Sequence, residues 1–274
     1  MFPRRLLFVS AILVSAFFPL LSGAGMFGGP DPVIETIAGG DVNWTKQVVL
    51  TSGTGVIDSN IRNTAVAKLS AERAAKISAI RNALETIKGI KVDSYTTVEN
   101  YMPSDYILGR INAAVGRAKI VEKRYLPDGE IDVVVEVPLT GILTEALVFQ
   151  TSPLPVPTSG EEIYSGLIVD AKGLGINPAM SPKILDEMGR EVYGASFVSR
   201  GSLINRGLAG YLKEVDDAME DDRVAPNPLV VKALRRAWTG STDIIITLED
   251  AAMLHDGAGN SSFLEQCRVI IVVD

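Results

Sequence analysis

A proline-rich run interrupts the chain just past its midpoint. Thr151-Ser152-Pro153-Leu154-Pro155-Val156-Pro157-Thr158-Ser159-Gly160 alternates proline with other residues over most of its length. Each proline removes a backbone donor and fixes φ, so neither a helix nor an inner strand continues through the run. Alternating prolines read as a semi-rigid spacer, assigned here to 148–160. It divides the 274 residues into a block at 42–147 and a block at 161–274, each of ordinary domain size. Upstream, 25–41 is rich in glycine, proline and aspartate and is expected to be a flexible segment.

The first residues form a pattern of their own. Arg4 and Arg5 precede an uncharged apolar run at 6–21, and Ser22-Gly23-Ala24 follows. That order of basic, apolar and small residues is a secretory signal, expected to occupy 1–24 and to be cleaved after Ala24. The run falls short of the ~20 apolar residues a membrane-spanning helix needs, although retention as an N-terminal anchor is the alternative. No later apolar stretch is long enough to span a bilayer. The expected location is the periplasm or the periplasmic side of the outer membrane. No cysteine lies near the cleavage point, so no lipid anchor is expected.

Charge and rare residues narrow the chemistry. Apolar residues make up 47% of the chain and mean hydropathy is +0.23, enough to build a core and to exclude wholesale disorder. The 33 acids outweigh the 26 bases, giving −7. Losing Arg4 and Arg5 leaves 24 bases against 33 acids, or −9. Such a chain lacks the basic face that displaces counterions from nucleic acid. Cys267 is the sole cysteine, so no intramolecular disulfide forms. It precedes the apolar run at 269–273 and reads as a buried structural thiol. A catalytic dyad with His255, the sole histidine, is the alternative.

Block one reads as α+β. The stretch 46–56 is strand-like. In 59–88, Val66, Leu69, Ile77, Ile80, Leu84 and Ile87 recur mostly at three- and four-residue steps, predicting a long helix with one apolar stripe facing the core. Glu72 and Lys76 stand at i,i+4, and Gly89 stops the helix. The stretch 90–97 is expected to be extended. Pro103-Ser104-Asp105 starts a shorter helix carrying Ile107, Ile111 and Val115. Strands at 119–126 and 130–139 flank the turn Pro127-Asp128-Gly129, with Ile131, Val133, Val135 and Val137 on one buried face. The expectation is a small, mostly antiparallel sheet with two helices on one face.

The alanine-rich run Ala65-Val66-Ala67-Lys68-Leu69-Ser70-Ala71-Glu72-Arg73-Ala74-Ala75-Lys76 leads to Ala79-Ile80-Arg81-Asn82-Ala83-Leu84. Gly89-Ile90-Lys91-Val92-Asp93-Ser94 and Thr96-Thr97-Val98 come next. With Gly53-Thr54-Gly55 before them and the hairpin turn after, these residues resemble the lipoprotein-20 family of bacterial cell-envelope proteins. That family includes flagellar basal-disc protein P, and flagellar assembly protein T has a comparable N-terminal domain. The resemblance runs from Trp44 to about Leu139. It implies an envelope-associated scaffold or assembly role and carries no catalytic residues. The missing lipobox cysteine sets this chain apart from the lipidated members.

Block two matches no motif firmly. Continuous apolar runs at 167–169, 243–247 and 269–273 suit strands covered on both faces. Residues 183–193 read as a hairpin, and 202–218, 248–255 and 261–266 as short helices. A second α/β or α+β domain is expected. Asp170-Ala171-Lys172-Gly173-Leu174-Gly175 follows a strand as a phosphate loop does, but Pro178 stands where the third glycine belongs and no helix opens there. A glycine turn is the plainer account. Gly53-Thr54-Gly55 lacks the Lys-Ser/Thr of a P-loop and reads as a bend or a close backbone approach. The acidic run Asp216, Asp217, Glu220, Asp221 and Asp222 lacks the glycine and terminal glutamate of an EF-hand loop. Asp170 with Asp186, or Glu122 with Glu136, are carboxylate pairs of the kind glycoside hydrolysis needs, without any sign of shared burial. Asn43-Trp44-Thr45 and Asn260-Ser261-Ser262 match glycosylation sequons.

The functional expectation is a non-enzymatic exported envelope protein with a scaffold or assembly role, close to the flagellum. No catalytic residue, cofactor or metal site is nominated. Expected partners are envelope proteins or further copies of the chain, docking on sheet edges and the exposed face of the long helix. The alternatives are a periplasmic or secreted carboxylate-dependent hydrolase, or a small-ligand-binding module in the C-terminal domain.

Overall fold

The structure, a computed structural model, describes residues 29–148, 164–255 and 262–274. The expected signal at 1–24, nearly all of the proline linker and the second sequon at Asn260 lie outside these residues. Block one runs β1 (Ile34–Ile37), β2 (Gly40–Asn43), β3 (Val48–Val56), α1 (Thr64–Gly89), α2 (Asp105–Gly116), β4 (Lys119–Tyr125), β5 (Glu130–Pro138) and α3 (Ile142–Leu147). Its strands form one antiparallel sheet in the order β1-β2-β3-β5-β4. The α+β class expected from the sequence is the class observed. Two local expectations are overturned. The segment 25–41 is expected to be flexible, yet its described part holds β1 and the start of β2, which pair as a hairpin, and Val33 there and Val42 just beyond join the core. The stretch 90–97 adds no strand to the sheet: it is a loop closed by one bridge between Lys91 and Thr97, followed by a 3₁₀ turn at Val98–Tyr101.

The long helix lies on the sheet by a different face from the one its large residues predict. Asn63 caps it, the Oδ1 accepting from the N–H groups of Ala65 and Val66. The face that meets the sheet is Ala67, Ala71, Ala75, Ala79 and Ala83, all buried at four-residue steps. Opposite them on β3 stand Gly53 and Gly55. A Cβ on Gly53 would stand 2.2 Å from the Ala79 nitrogen, and one on Gly55 would stand 2.1 Å from the Ala71 oxygen. Helix backbone thus rides directly on strand backbone, and only residues without bulk at the contact permit it. Thr51 Oγ1 donates to the Ala79 carbonyl at 2.9 Å, and Asn82 Nδ2 to the Ser52 carbonyl at 2.8 Å. Close approach is therefore the correct reading of the Gly-Thr-Gly motif.

The predicted apolar stripe splits in two. Ile80, Leu84 and Ile87 pack into the core, but Val66, Leu69 and Ile77 are 48%, 54% and 60% exposed. Leu69 stands two residues from Ala71, and Ile77 two from Ala75, about 200° round the helix from the sheet. Glu72 does not pair with Lys76. It reaches across to β4, where Lys123 Nζ donates at 2.7 Å and the Tyr125 hydroxyl at 2.7 Å.

Block two runs β6 (Gly166–Asp170), β7 (Ile184–Leu185), β8 (Glu191–Tyr193), α4 (Arg200–Arg206), β9 (Gly210–Leu212), α5 (Val215–Glu220), β10 (Pro228–Lys232), β11 (Arg235–Arg236), β12 (Ile244–Ile245), α6 (Leu248–His255), α7 (Ser262–Glu265) and β13 (Val269–Val272). Four of these strands make a parallel sheet in the order β10-β6-β13-β9, and β11-β12-β7-β8 make a smaller mixed one. The inner strands β6 and β13 are buried on both faces, as their unbroken apolar runs require. The predicted hairpin at 183–193 is β7 and β8. The single helix expected over 202–218 is instead α4, β9 and α5. Gly207, at φ +69°, ends α4, and Ala209-Gly210-Tyr211-Leu212 enters the sheet as an edge strand.

The two blocks share one continuous core. Trp44 meets Tyr211 edge to face at 5.6 Å. Thr45 Oγ1 donates to the Tyr211 carbonyl at 2.8 Å and Gln47 Nε2 to the Ala209 carbonyl at 2.9 Å. Main chain crosses the seam as well: Gly141 N–H bonds the Ile204 carbonyl at 2.7 Å, and Ser181 N–H the Val92 carbonyl at 2.7 Å. Glu145 on α3 holds both Arg110 on α2 and Arg200 on α4.

Candidate functional site

In a parallel α/β sheet the C-terminal ends of the strands are where ligands bind, because loops and strand-end backbone groups converge there. Here that edge gathers Asp170 and the glycine loop after β6, Lys213 and Glu214 after β9, Arg236 beyond β10, and Asp274 after β13. The loop's amides are already satisfied. Gly173 and Gly175, at φ +76° and +60°, aim their N–H groups at the Asp274 carboxylate, 2.8 and 3.2 Å away. A carboxylate therefore occupies the nest in which a phosphate loop would hold its anion. Lys172 Nζ bonds Glu214 at 2.7 Å, which raises the lysine's pKa, and Asp170 accepts from the Lys172 N–H at 3.2 Å. The turn considered for ligand binding is closed by the chain's own side chain.

The other candidates separate in space. Asp186 is buried in the β7–β8 turn, accepting from the N–H groups of Met188 and Arg190 at 2.9 Å each and from Arg190 Nε at 2.6 Å. Burial alone would raise its carboxyl, but these donors outweigh burial and hold it below the ordinary value. Asp170 and Asp186 thus serve separate turns. Glu122 lies across from Val134, and Glu136 from Lys119. Glu122 pairs with Arg124 at 3.2 Å on the exposed surface. The acidic run lies within and just after α5, with Asp216 and Asp217 in its first turn and Asp221 accepting from the Arg223 N–H at 2.8 Å. Among the described residues, no three of His, Cys, Asp and Glu converge on a point that could hold a metal. Asn43 is buried and caps the turn to Lys46 at 2.8 Å, so the first sequon is closed.

Cys267 is buried between α7 and β13, as expected of a structural thiol. Burial pushes its pKa up to about 11, and its neighbours are Tyr193 and Arg223. Arg223 Nε donates to the Cys267 carbonyl at 2.9 Å and its other nitrogen to Gly207 at 2.7 Å, tying the ends of α4 and α7 together. A thiol held protonated there is no nucleophile. His255 closes α6, and its side chain lies outside the described residues.

One cluster at the seam has no sequence signal, and the outer face of the long helix, expected to dock partners, carries large aliphatics expected in the core. At the seam, Ser94 Oγ lies 3.0 Å from Ser241 Oγ and 2.9 Å from Thr242 Oγ1. Beside them Asp243 accepts from the Lys183 N–H at 3.0 Å, and burial raises its carboxyl against the pull of these donors. Above this cluster Tyr95 and Trp238 stack at 5.0 Å, with Tyr95 79% exposed. A small recess of about 20 Å³ also opens along the seam, lined by Trp44, Gln47, Thr140, Met180 and Leu208 among others. No periodicity marks residues that meet across 147 positions of sequence.

The second feature is the outer surface of α1 and β4. Every residue of β4 is exposed, and it forms a free sheet edge. Lys119, Glu122, Lys123 and Arg124 line it and a bulge follows Ile120, features that discourage strand addition. The expectation that sheet edges dock partners is therefore weaker than the one for the helix. Beside β4, Val66, Leu69 and Ile77 of α1 stand open among Lys68, Arg73, Lys76 and Arg81. Lys68 Nζ sits 5.9 Å from the Tyr125 ring centre. Among the described residues no helix is long and apolar enough to cross a membrane.

Residues 166–274, from the start of β6 onward, match a family model described as the second domain of Treponema pallidum Tp0624. The match covers block two and stops short of 44–139, the segment that carries the lipoprotein-20 resemblance. No curated protein matches the chain.

Proposed function

We propose that the chain is a non-enzymatic envelope protein with a scaffold or assembly role, working near the flagellum. The observation that carries this reading is the long helix. It spends its small residues on the sheet and leaves Val66, Leu69 and Ile77 in solvent. Single exposed aliphatics need no explanation, but three on one side of one helix, continuous with a buried stripe, suit a surface that is covered in use. The signal-like N-terminus and the lipoprotein-20 resemblance of block one support an envelope location. The shared core favours presentation of this face by one rigid body. Deleting the gene, tracking motility and fractionating the envelope tests the reading. Impaired swimming with envelope-bound protein is expected. Normal swimming with a freely soluble periplasmic protein would remove it.

A further inference from the structure

The outer face of α1 carries a charge pattern that selects among things it could rest on. Along α1 the bases are Lys68, Arg73, Lys76, Arg81 and Lys88, and the acids Glu72 and Glu85. Both acids are already answered: Glu72 by Lys123 and Tyr125, Glu85 by Lys88 at 2.6 Å. Lys68, Arg73, Lys76 and Arg81 enter no ion pair among the described residues. A chain of net charge −7 thus presents Arg73, Lys76 and Arg81 as a strip of cations interleaved with Val66, Leu69 and Ile77, while Lys68 turns aside over the Tyr125 ring on β4. From residue 66 to residue 81 the strip is about 23 Å long.

We infer that this face docks on an anionic lipid surface, the aliphatic side chains entering the headgroup boundary and the cations meeting lipid phosphates. A basic helix face with large aliphatics is the chemistry of interfacial binding. The shape agrees: α1 is a convex ridge standing on a sheet, which a deformable planar surface accepts without a matching groove. The bulk of the chain, which holds most of the acids, would be repelled from the same surface, and that repulsion orients the molecule with α1 downward. The inference deepens the reading of α1 as a docking face and gives that face a partner.

Residues 25–274, which contain every described residue, are sedimented with vesicles of phosphatidylcholine alone or mixed with phosphatidylglycerol. Binding is expected only with phosphatidylglycerol and is expected to fall as salt rises. Each cation near such a surface is worth roughly fivefold, so Arg73→Gln with Lys76→Gln should weaken binding by about 25-fold. Leu69→Ser with Ile77→Ser should weaken it by about tenfold or more. Both variants are expected to keep the parent thermal midpoint, since all four positions point away from the core. Absent binding, equal binding to neutral vesicles, or unchanged binding by both variants overturns the inference. So does capture of polyglutamate through the same residues without vesicle binding, which would assign the face to an acidic protein. Failure on vesicles with intact envelope fractionation removes the lipid partner and leaves the scaffold reading standing.

Discussion

Gly53 of β3 faces Ala75 of α1 so closely that a Cβ on the glycine would stand 2.4 Å from the alanine's carbonyl oxygen. The obstruction is helix backbone, which has no rotamer to escape into. Gly53→Ala and Gly55→Ala should each destabilise by about 3 kcal/mol, at the upper end of overpacking costs. Gly109→Ala on α2, where the new methyl meets nothing within 4 Å, should stabilise by up to about 1 kcal/mol. Urea denaturation of the three variants separates close approach from a general intolerance of change at glycine.

The Asp274 side chain closes the glycine loop after β6. Asp274→Ala leaves the Gly173 and Gly175 N–H groups to solvent and should cost about 1 kcal/mol. A vacated nest of this kind accepts an anion. Inorganic phosphate should therefore return part of the lost stability to the variant and little to the parent, measured by urea denaturation with and without phosphate.

Asp243 gives the seam a pH dependence of defined sign. Burial holds its carboxyl above the ordinary value of 3.8. Below 3.8 the group is protonated folded and unfolded. As pH rises, the unfolded chain ionises first, so this group's contribution to stability falls until the folded-state value is passed. Asp243→Asn removes that fall. The midpoint of the variant relative to the parent should thus shift in the variant's favour as pH rises from below 3.8 toward neutrality. A constant difference across that range would show that the carboxyl is not held up by burial.

The seam also predicts how the chain unfolds. Trp44 against Tyr211, Gln47 against Ala209 and Ser94 against Ser241 and Thr242 join the blocks through buried contacts and main-chain bonds. Calorimetry should show a single transition, with calorimetric and van't Hoff enthalpies in agreement. Two resolved transitions would mean that the blocks melt independently.

The sequence disclosed elements better than it disclosed faces. The hairpin at 119–139, the buried run at 269–273 and the Gly-Thr-Gly close approach were all legible, because turn chemistry, apolar continuity and missing side chains are local signals. The face of α1 was misassigned since periodicity weighs side chains by size, whereas backbone contact with β3 selects the smallest ones. Leu69 and Ile77 counted as core for the same reason that Ala71 and Ala75 did not. The strand β9 was hidden because Gly210-Tyr211-Leu212 is too short to show a period, and it exists only as a partner for β13. The seam residues were illegible because Ser94, Gln47 and Asp243 acquire meaning only from the other block.

On the reading proposed above, the outward side of α1, rather than a pocket, is the working surface of this chain. Envelope fractionation of cells carrying Leu69→Ser with Ile77→Ser in place of the parent tests it most directly, alongside the thermal midpoint of the purified variant. The midpoint is expected to be unchanged, since both side chains are more than half exposed, while the protein moves from the envelope to the soluble fraction. An unchanged midpoint with the variant retained in the envelope like the parent would contradict it.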